Sequence, residues 1–211
     1  IVSDTQKFDQ INLSINDIST YQTDKYWIAE GSKGLRSIQR KGSNSFEALN
    51  EPIILDGPYS NSAFDIVCKN DKVYMIIGGK DLLNGKRFDK GGYILTYDYD
   101  KWSFIDPKEA QKKLNLPRNP RDYTSIAVTT DDSNDEIVYA SSMGDGVIQY
   151  KNGTPVQSYN EKNAFKETAG GYGSGYCYID GLAFDKNGNL WMTSSEVNHA
   201  VLVLDKPGAW H

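Results

Sequence analysis

The chain has 211 residues, 23 Lys plus Arg against 28 Asp plus Glu, and a net charge of −5. Charged residues make up 24% and aromatics 12%, with 19 Gly and 7 Pro, which excludes a disordered tail, a collagen-like repeat and a Pro-rich linker. No basic run exceeds two residues, which argues against a nucleic-acid groove or a polybasic membrane patch.

The chain repeats one pattern four times. The first unit runs Ile18 to Tyr21, a polar turn, then Tyr26-Trp27-Ile28-Ala29 and Gly34-Leu35. The second runs Phe64 to Cys68, a turn at Lys69 to Lys72, then Val73-Tyr74-Met75-Ile76. The third runs Ile126 to Val128, a turn at Asp131 to Glu136, then Ile137 to Ala140 and Gly146-Val147. The fourth runs Leu182 to Phe184, a turn at Asp185 to Asn189, then Leu190-Trp191-Met192-Thr193. The anchors Trp27, Tyr74, Tyr139 and Trp191 are spaced 47, 65 and 52 residues apart, as in propeller blades carrying insertions. Asn152-Gly153 and Asn187-Gly188 are expected to supply the positive φ angles of tight hairpins. The small residues Ala29, Ala140 and Thr193 after the anchors are expected where inner strands converge.

Two insertions lengthen the second unit. Lys80 to Lys90 reads as a polar loop. Asp106 to Leu116 reads as a helix, with Asp106 as N-cap, Pro107 in the first turn and Pro117 as terminator. The expected fold is all-β: a β-propeller fragment of about four four-stranded antiparallel blades with one short helical insertion. A sandwich is the alternative. Residues 1–211 read as a single propeller region with units near 13–56, 57–120, 121–165 and 176–211, part of a larger propeller. Lys7 to Ile11 reads as an outer strand of a preceding unit, and Trp210 as the start of the last outer strand. Ile1 reads as a cut or processed end, and no apolar run approaches the length of a transmembrane helix.

Little catalytic chemistry is visible. His199 sits in a turn without a sequence-visible partner, and His211 is terminal. Glu30 and Glu196 follow anchor Trp residues and could reach a channel mouth, as in propeller lyases and lactonases. Asp185-Lys186-Asn187-Gly188-Asn189 partly matches a calcium loop with Glu196 at position 12, but strand residues intervene, so a hairpin is expected. Asp131 to Glu136 reads as a solvated acidic turn. Ala169 to Tyr176 is Gly-rich and precedes a strand, so a flexible or Tyr-bearing contact loop is expected rather than a phosphate cradle. Lys112, Lys113, Arg118 and Arg121 form the one basic concentration, a solvated face or a contact for acidic groups. Cys68 and Cys177 read as buried thiols, with a disulfide if the protein is exported. No residue is assigned a catalytic, cofactor or metal role, no cofactor is expected, and the binding residues are unassigned.

Leu190-Trp191-Met192-Thr193 and Tyr26 to Leu35 resemble the two-component-regulator propeller repeat of Bacteroidetes proteins. The order Gly57-Pro58-Tyr59-Ser60-Asn61, Gly78-Gly79, Gly144-Asp145-Gly146-Val147, Tyr159-Asn160-Glu161-Lys162-Asn163 and Gly188-Asn189-Leu190-Trp191 resembles the N-terminal propeller region of PorZ-like proteins of the type IX secretion system. The resemblance covers Tyr26 to Trp210. It implies an exported, non-catalytic binding or scaffold module facing the periplasm or cell surface. It also implies secretion attachment-complex partners, including a sortase-like peptidase, and anionic lipopolysaccharide. The alternatives are the periplasmic sensing propeller of a hybrid two-component kinase and, ranked below it, a propeller enzyme. No nucleic-acid partner is expected, and open blade faces are expected to self-associate.

Overall fold

The computed structural model describes residues 17–30, 34–43, 45–51, 53, 57–60, 62–98, 101–165, 167–170 and 175–211. The expected strand at Lys7 to Ile11 lies outside them. The chain is all-β, with fifteen strands in antiparallel sheets and one helix among the described residues. No helix there is long and apolar enough to cross a membrane. The chain divides into two compact units between Gly57 and Pro58.

The first unit is one meander of Asp17–Gln22 (β1), Lys25–Ala29 (β2), Leu35–Arg40 (β3) and Phe46–Ala48 (β4), paired in that order. Ile28 and Ile38 are its enclosed apolar side chains among the described residues. Asn50 Oδ1 accepts the backbone N–H of Ser37 at 2.7 Å and its hydroxyl at 2.6 Å, tying the end of the meander to β3.

The second unit holds three meanders. Ala63–Lys69 (β5), Lys72–Ile77 (β6), Ile94–Asp98 (β7) and Lys101–Ile105 (β8) make the first of these. After the helix Pro107–Leu114 (α1) come Tyr123–Thr130 (β9), Glu136–Gly144 (β10), Gly146–Lys151 (β11) and Thr154–Tyr159 (β12). The last comprises Cys177–Phe184 (β13), Leu190–Ser194 (β14) and Val201–Leu204 (β15). It has three strands, and Trp210 stands where the start of an outer strand is expected. The returning chain bonds β15 only at Trp210, opposite Leu204, and at His211, which exchanges both backbone bonds with Val203. Pairing of Met143 with Tyr178 and Gly144 with Cys177 joins β10 to β13, so the last two meanders share one seven-stranded sheet.

Local chemistry explains the turns. Asn70 and Asp71 both take positive φ between β5 and β6, as do Asn152 and Gly153 between β11 and β12, matching the twist of a two-residue hairpin. The Asn187-Gly188 expectation is corrected: only Gly188 has positive φ. The turn is a wider one organised by Asp185, whose Oδ1 accepts the N–H groups of Asn187 and Asn189 at 2.8 and 2.9 Å. Asp131 does the same for Ser133 and Asp135, and Asp205 for Gly208 and Ala209. In α1, Asp106 caps the Lys108 N–H as expected, and Pro107, Ala110 and Leu114 turn one face to the core. Its end comes at Asn115, in the left-handed conformation, two residues before Pro117.

The first strands of these three meanders adjoin, with β9 lying against both β5 and β13, and the end of β10 also reaches β13. Ala140 and Thr193, expected at that convergence, lie instead on the second strands, and Ala29 lies on β2 between β1 and β3. One apolar layer, with Tyr74, Ile76, Ile94, Val138 and Ile148, fills the space between the first two of these meanders. Another, with Tyr139, Val147, Ile179, Leu190 and Met192, fills the next. Each such side chain contributes roughly 1.5–3 kcal/mol by leaving water. The anchors diverge in burial: Tyr74 is enclosed, whereas Trp191 is 45% exposed on the outer face of β13–β15.

Adjoining first strands do not pair directly, so their free backbone edges need other partners. Asp65 Oδ2 accepts the Ile126 N–H at 3.1 Å and the Ser125 hydroxyl at 3.1 Å, and Ser125 Oγ accepts the Leu182 N–H at 3.2 Å. Opposite the anchors stand Val67, Ala127 and Ala183, which makes Asp65, Ser125 and Gly181 equivalent positions. One position therefore tethers each first strand to the next. Ser125→Ala should strand the Leu182 N–H and cost about 1–3 kcal/mol. A urea titration reads this directly, and an unchanged midpoint would remove the tether from the account.

Candidate functional site

The three first strands of the second unit bulge at one common place. The ladder skips Phe64 in β5, Thr124 in β9 and Asp180 in β13. A bulge re-aims the extra side chain. Thr124 Oγ1 donates to the Ile179 carbonyl and lies 3.1 Å from Ser141 Oγ. Asp180 accepts Lys80 Nζ at 2.6 Å and the Ser195 hydroxyl. Lys80 belongs to the β6–β7 loop, so that loop reaches across the β9 bulge to the last meander.

Beside this contact lies a cluster of guanidiniums and carboxylates. The Asp122 carboxylate is enclosed and accepts the N–H groups of Asp89 and Lys90 at 3.1 and 3.0 Å. Burial raises its pKa, against the lowering effects of these bonds and of Arg87, whose Nε is 3.8 Å away. Arg87 also bonds Asp89 at 2.9 Å and the Met143 carbonyl at 3.3 Å. Arg118 Nε donates to Asp145 at 2.7 Å, and its guanidinium lies 5.3 Å from the Tyr176 ring centroid. Asp145 also accepts the Arg121 N–H at 3.1 Å. Gly144, at φ +131°, lies between them: a Cβ there would stand 3.1 Å from Arg87 Nη1 and 3.4 Å from the Tyr176 ring.

Of the expected basic concentration, Arg118 and Arg121 join this cluster, whereas Lys112 and Lys113 stay on the last turn of α1. Asp145, Tyr176, Arg87 and Asp122 were not legible as their partners. The arrangement suits binding of anionic or planar groups through half-exposed guanidiniums. The Ser195 hydroxyl faces a carboxylate already shared with Lys80, and both imidazoles lie elsewhere.

Those imidazoles border a second feature, a cavity of about 360 Å³ beside β15, lined by Phe165, Trp210, Val201, Leu202, Glu167 and His199. Phe165 and Trp210 meet edge to face with centroids 5.4 Å apart. His199 is an exposed residue whose partner is distant in the sequence. Its Nδ1 lies 3.1 Å from Glu167 Oε1, and Glu167 Oε2 accepts the N–H groups of Asn198 and His199 at 2.8 and 3.3 Å. His211 Nε2 lies 2.9 Å from Asp205.

The remaining candidates take structural places. Glu30 is enclosed in the first unit and accepts Arg36 Nε at 2.6 Å, while Glu196 is an exposed turn residue of the second. Asp185 accepts the Trp191 indole N–H at 3.1 Å. That bond, with those from the turn, brings its pKa down to about 2. Asp131 and Asp135 share Lys151 at 2.8 and 2.7 Å. Half of the Gly-rich segment, 171–174, lies outside the described residues. The expectation of two buried thiols is corrected: Cys177 is buried, and burial pushes its thiol up to about 11, but Cys68 is exposed and both are free.

No family model matches the chain, and no curated protein matches it. Over 94% of its length it is similar in structure to PorZ of Porphyromonas gingivalis. The TM-score is 0.59, the identity 23%, and the chain spans 25% of PorZ. PorZ is described as an essential bacterial surface component of the type-IX secretion system. The likeness shows a shared fold. Weaker likenesses are to the Malassezia sympodialis allergen Mala s 1, with 12% identity over 92% of this chain and 61% of that one at a TM-score of 0.43. The extracellular domain of a hybrid two-component system of B. thetaiotaomicron gives 15% identity over 89% and 27% at 0.35.

Proposed function

We propose that the four meanders are consecutive blades of a β-propeller region, and that this region is a non-catalytic binding and scaffold module of an exported PorZ-like protein. The observation that supports this reading is the fold shared with PorZ over nearly the whole chain, alongside the motif order from Gly57 to Trp191. The bulged end, with Arg87, Arg118, Arg121 and Tyr176, supplies a rigid contact surface. Its proposed partners are attachment-complex proteins at the periplasmic or outer face, and anionic lipopolysaccharide. Self-association is assigned to the outer face of β13–β15. There Trp191 and Val201 are half exposed, whereas the matching face of the preceding meander is covered.

The competing reading is a ligand-sensing ectodomain. Crosslinking in the native envelope, followed by capture of the whole polypeptide, separates the two. Recovery of type IX attachment proteins is expected, with yields reduced by Arg118→Glu/Arg121→Glu. A histidine-kinase core on the same polypeptide would install the sensor reading. A turnover abolished by Glu30→Ala or Glu196→Ala would end the non-catalytic one.

A further inference from the structure

Two leucines stand bare at the tip of the β6–β7 loop, Leu83 at 98% and Leu82 at 80% exposure. The loop beneath them is tightly built. Asp81 Oδ1 accepts the N–H groups of Leu83 and Asn84 at 2.8 and 3.3 Å, and Oδ2 accepts Asn84 Nδ2 at 3.1 Å. The Asp81 carbonyl accepts the Gly85 N–H, and the Asp81 N–H donates to the Lys86 carbonyl, each at 2.8 Å. A bridge between Lys80 and Arg87 closes the base, and Asp122 holds the N–H groups of Asp89 and Lys90 from inside. The leucines are thus presented by an ordered backbone, so burying them in another medium needs little further ordering.

Charge separates the tip from the base. Between Lys80 and Lys90 stand four cations and two carboxylates, on a chain whose net charge is −5. Asp81 is turned onto its own backbone. Lys86 is exposed, with no ion pair among the described residues, and Lys90 Nζ rests on the neutral Ser62 hydroxyl at 2.9 Å. Asp89, the loop's other carboxylate, is taken up by Arg87 at 2.9 Å, and pairing of Gly91 with Arg121 adds a half-exposed guanidinium 3.9 Å from it. Phe88, half exposed, lies with its ring centroid 6.0 Å from the Lys90 ammonium. The order is an apolar tip, then an aromatic ring, then cations. A bilayer presents the complementary order of acyl chains, interface and anionic headgroups. A groove on a partner protein would accept the leucines but gives no reason for the cationic collar.

We propose that this loop is a membrane-docking finger, with Leu82 and Leu83 entering the acyl region of an anionic bilayer and Lys86, Lys90 and Arg121 meeting the headgroup phosphates. The sequence shows no polybasic run because the collar is assembled by folding, from positions 86, 90 and 121. Two leucines make a weak, reversible anchor, effective at lipid concentrations on the order of millimolar.

Co-sedimentation of the full chain with phosphatidylcholine vesicles, with and without about one-third phosphatidylglycerol, tests the proposal. Binding to the anionic vesicles is expected. Leu82→Ser and Leu83→Ser should each lower the partition constant about tenfold. Lys86→Glu, or salt raised from about 0.1 M to about 1 M, should lower it several-fold. The substituted leucines touch water, so the melting temperature should not move, which excludes unfolding as the cause. No binding to anionic vesicles would overturn the proposal, as would binding indifferent to the leucines. If the double leucine variant instead loses a protein partner in vesicle-free solution while vesicles stay unbound, the loop is a protein contact and the proposal falls.

Discussion

Alanine at Gly78 is expected to destabilise the fold by about 3 kcal/mol or more. Gly78 closes β6 at φ +134°, where an L side chain is strained. A Cβ there would stand 2.5 Å from the Tyr123 backbone nitrogen and 2.6 Å from Asp122 Cα. Neither obstacle is a flexible side-chain tip. Relief requires moving Asp122 and the start of β9, which carries the bulge at Thr124. A loss of this size should lower the melting temperature by about 6–12 °C for a chain of this length. Gly85→Ala is the control: its φ is +71°, but nothing lies within 4 Å of the added carbon. It should cost only the backbone strain, about 1–2 kcal/mol. Equal losses in scanning calorimetry would show that the approach of β6 to β9 does not control stability.

The Tyr123–Tyr150 pair should give the second large effect. Their hydroxyls lie 2.6 Å apart inside the layer between the first two meanders of the second unit. Removing one hydroxyl leaves the other buried without a partner, at a cost of about 1–3 kcal/mol. Removing both leaves no orphan, so Tyr123→Phe/Tyr150→Phe should cost less than the two single changes together. A coupling on the order of 1 kcal/mol is expected from the double-mutant cycle. Burial also pushes both phenols up, so each stays neutral in the fold after an unfolded tyrosine has ionised. Their contribution is fully present below about pH 10, and is lost as pH rises from there toward the folded value. Urea midpoints followed between about pH 8 and pH 11 should fall steeply at the alkaline end, and less steeply in the double variant. Additive single effects, or an alkaline slope unchanged in the double variant, would contradict this.

The elements that the sequence determined alone are those closed by neighbours in the chain. The hairpins at Asp185 and Asp131 rest on a carboxylate and N–H groups two to four residues away. The start of α1 rests on Asp106 and Pro107. Short apolar runs bounded by turn residues mark β6, β10 and β14, at the length of strands rather than helices. The Gly78-Gly79 and Gly144-Asp145-Gly146 motifs were also visible, but their reason was not. It lies in the backbone of Tyr123, the ring of Phe64, and the side chains of Arg87 and Tyr176, all distant in sequence.

Tertiary structure decided the rest. Trp191 and Tyr74 share one motif position, yet one is half exposed and the other enclosed, because burial depends on whether another meander covers that face. Lys80 finds Asp180 across 100 positions, and Glu167 finds His199 across 32. Such pairs depend on three-dimensional packing of whole meanders, and no local propensity encodes them. The bare leucines were ordinary letters in a polar loop. Only the folded surface shows that nothing covers them, and that Arg121 arrives beside Lys90 to complete a cationic collar. Pairings within a few residues were legible because geometry ties near neighbours together, whereas chemistry at the bulged end required distant strands to meet first.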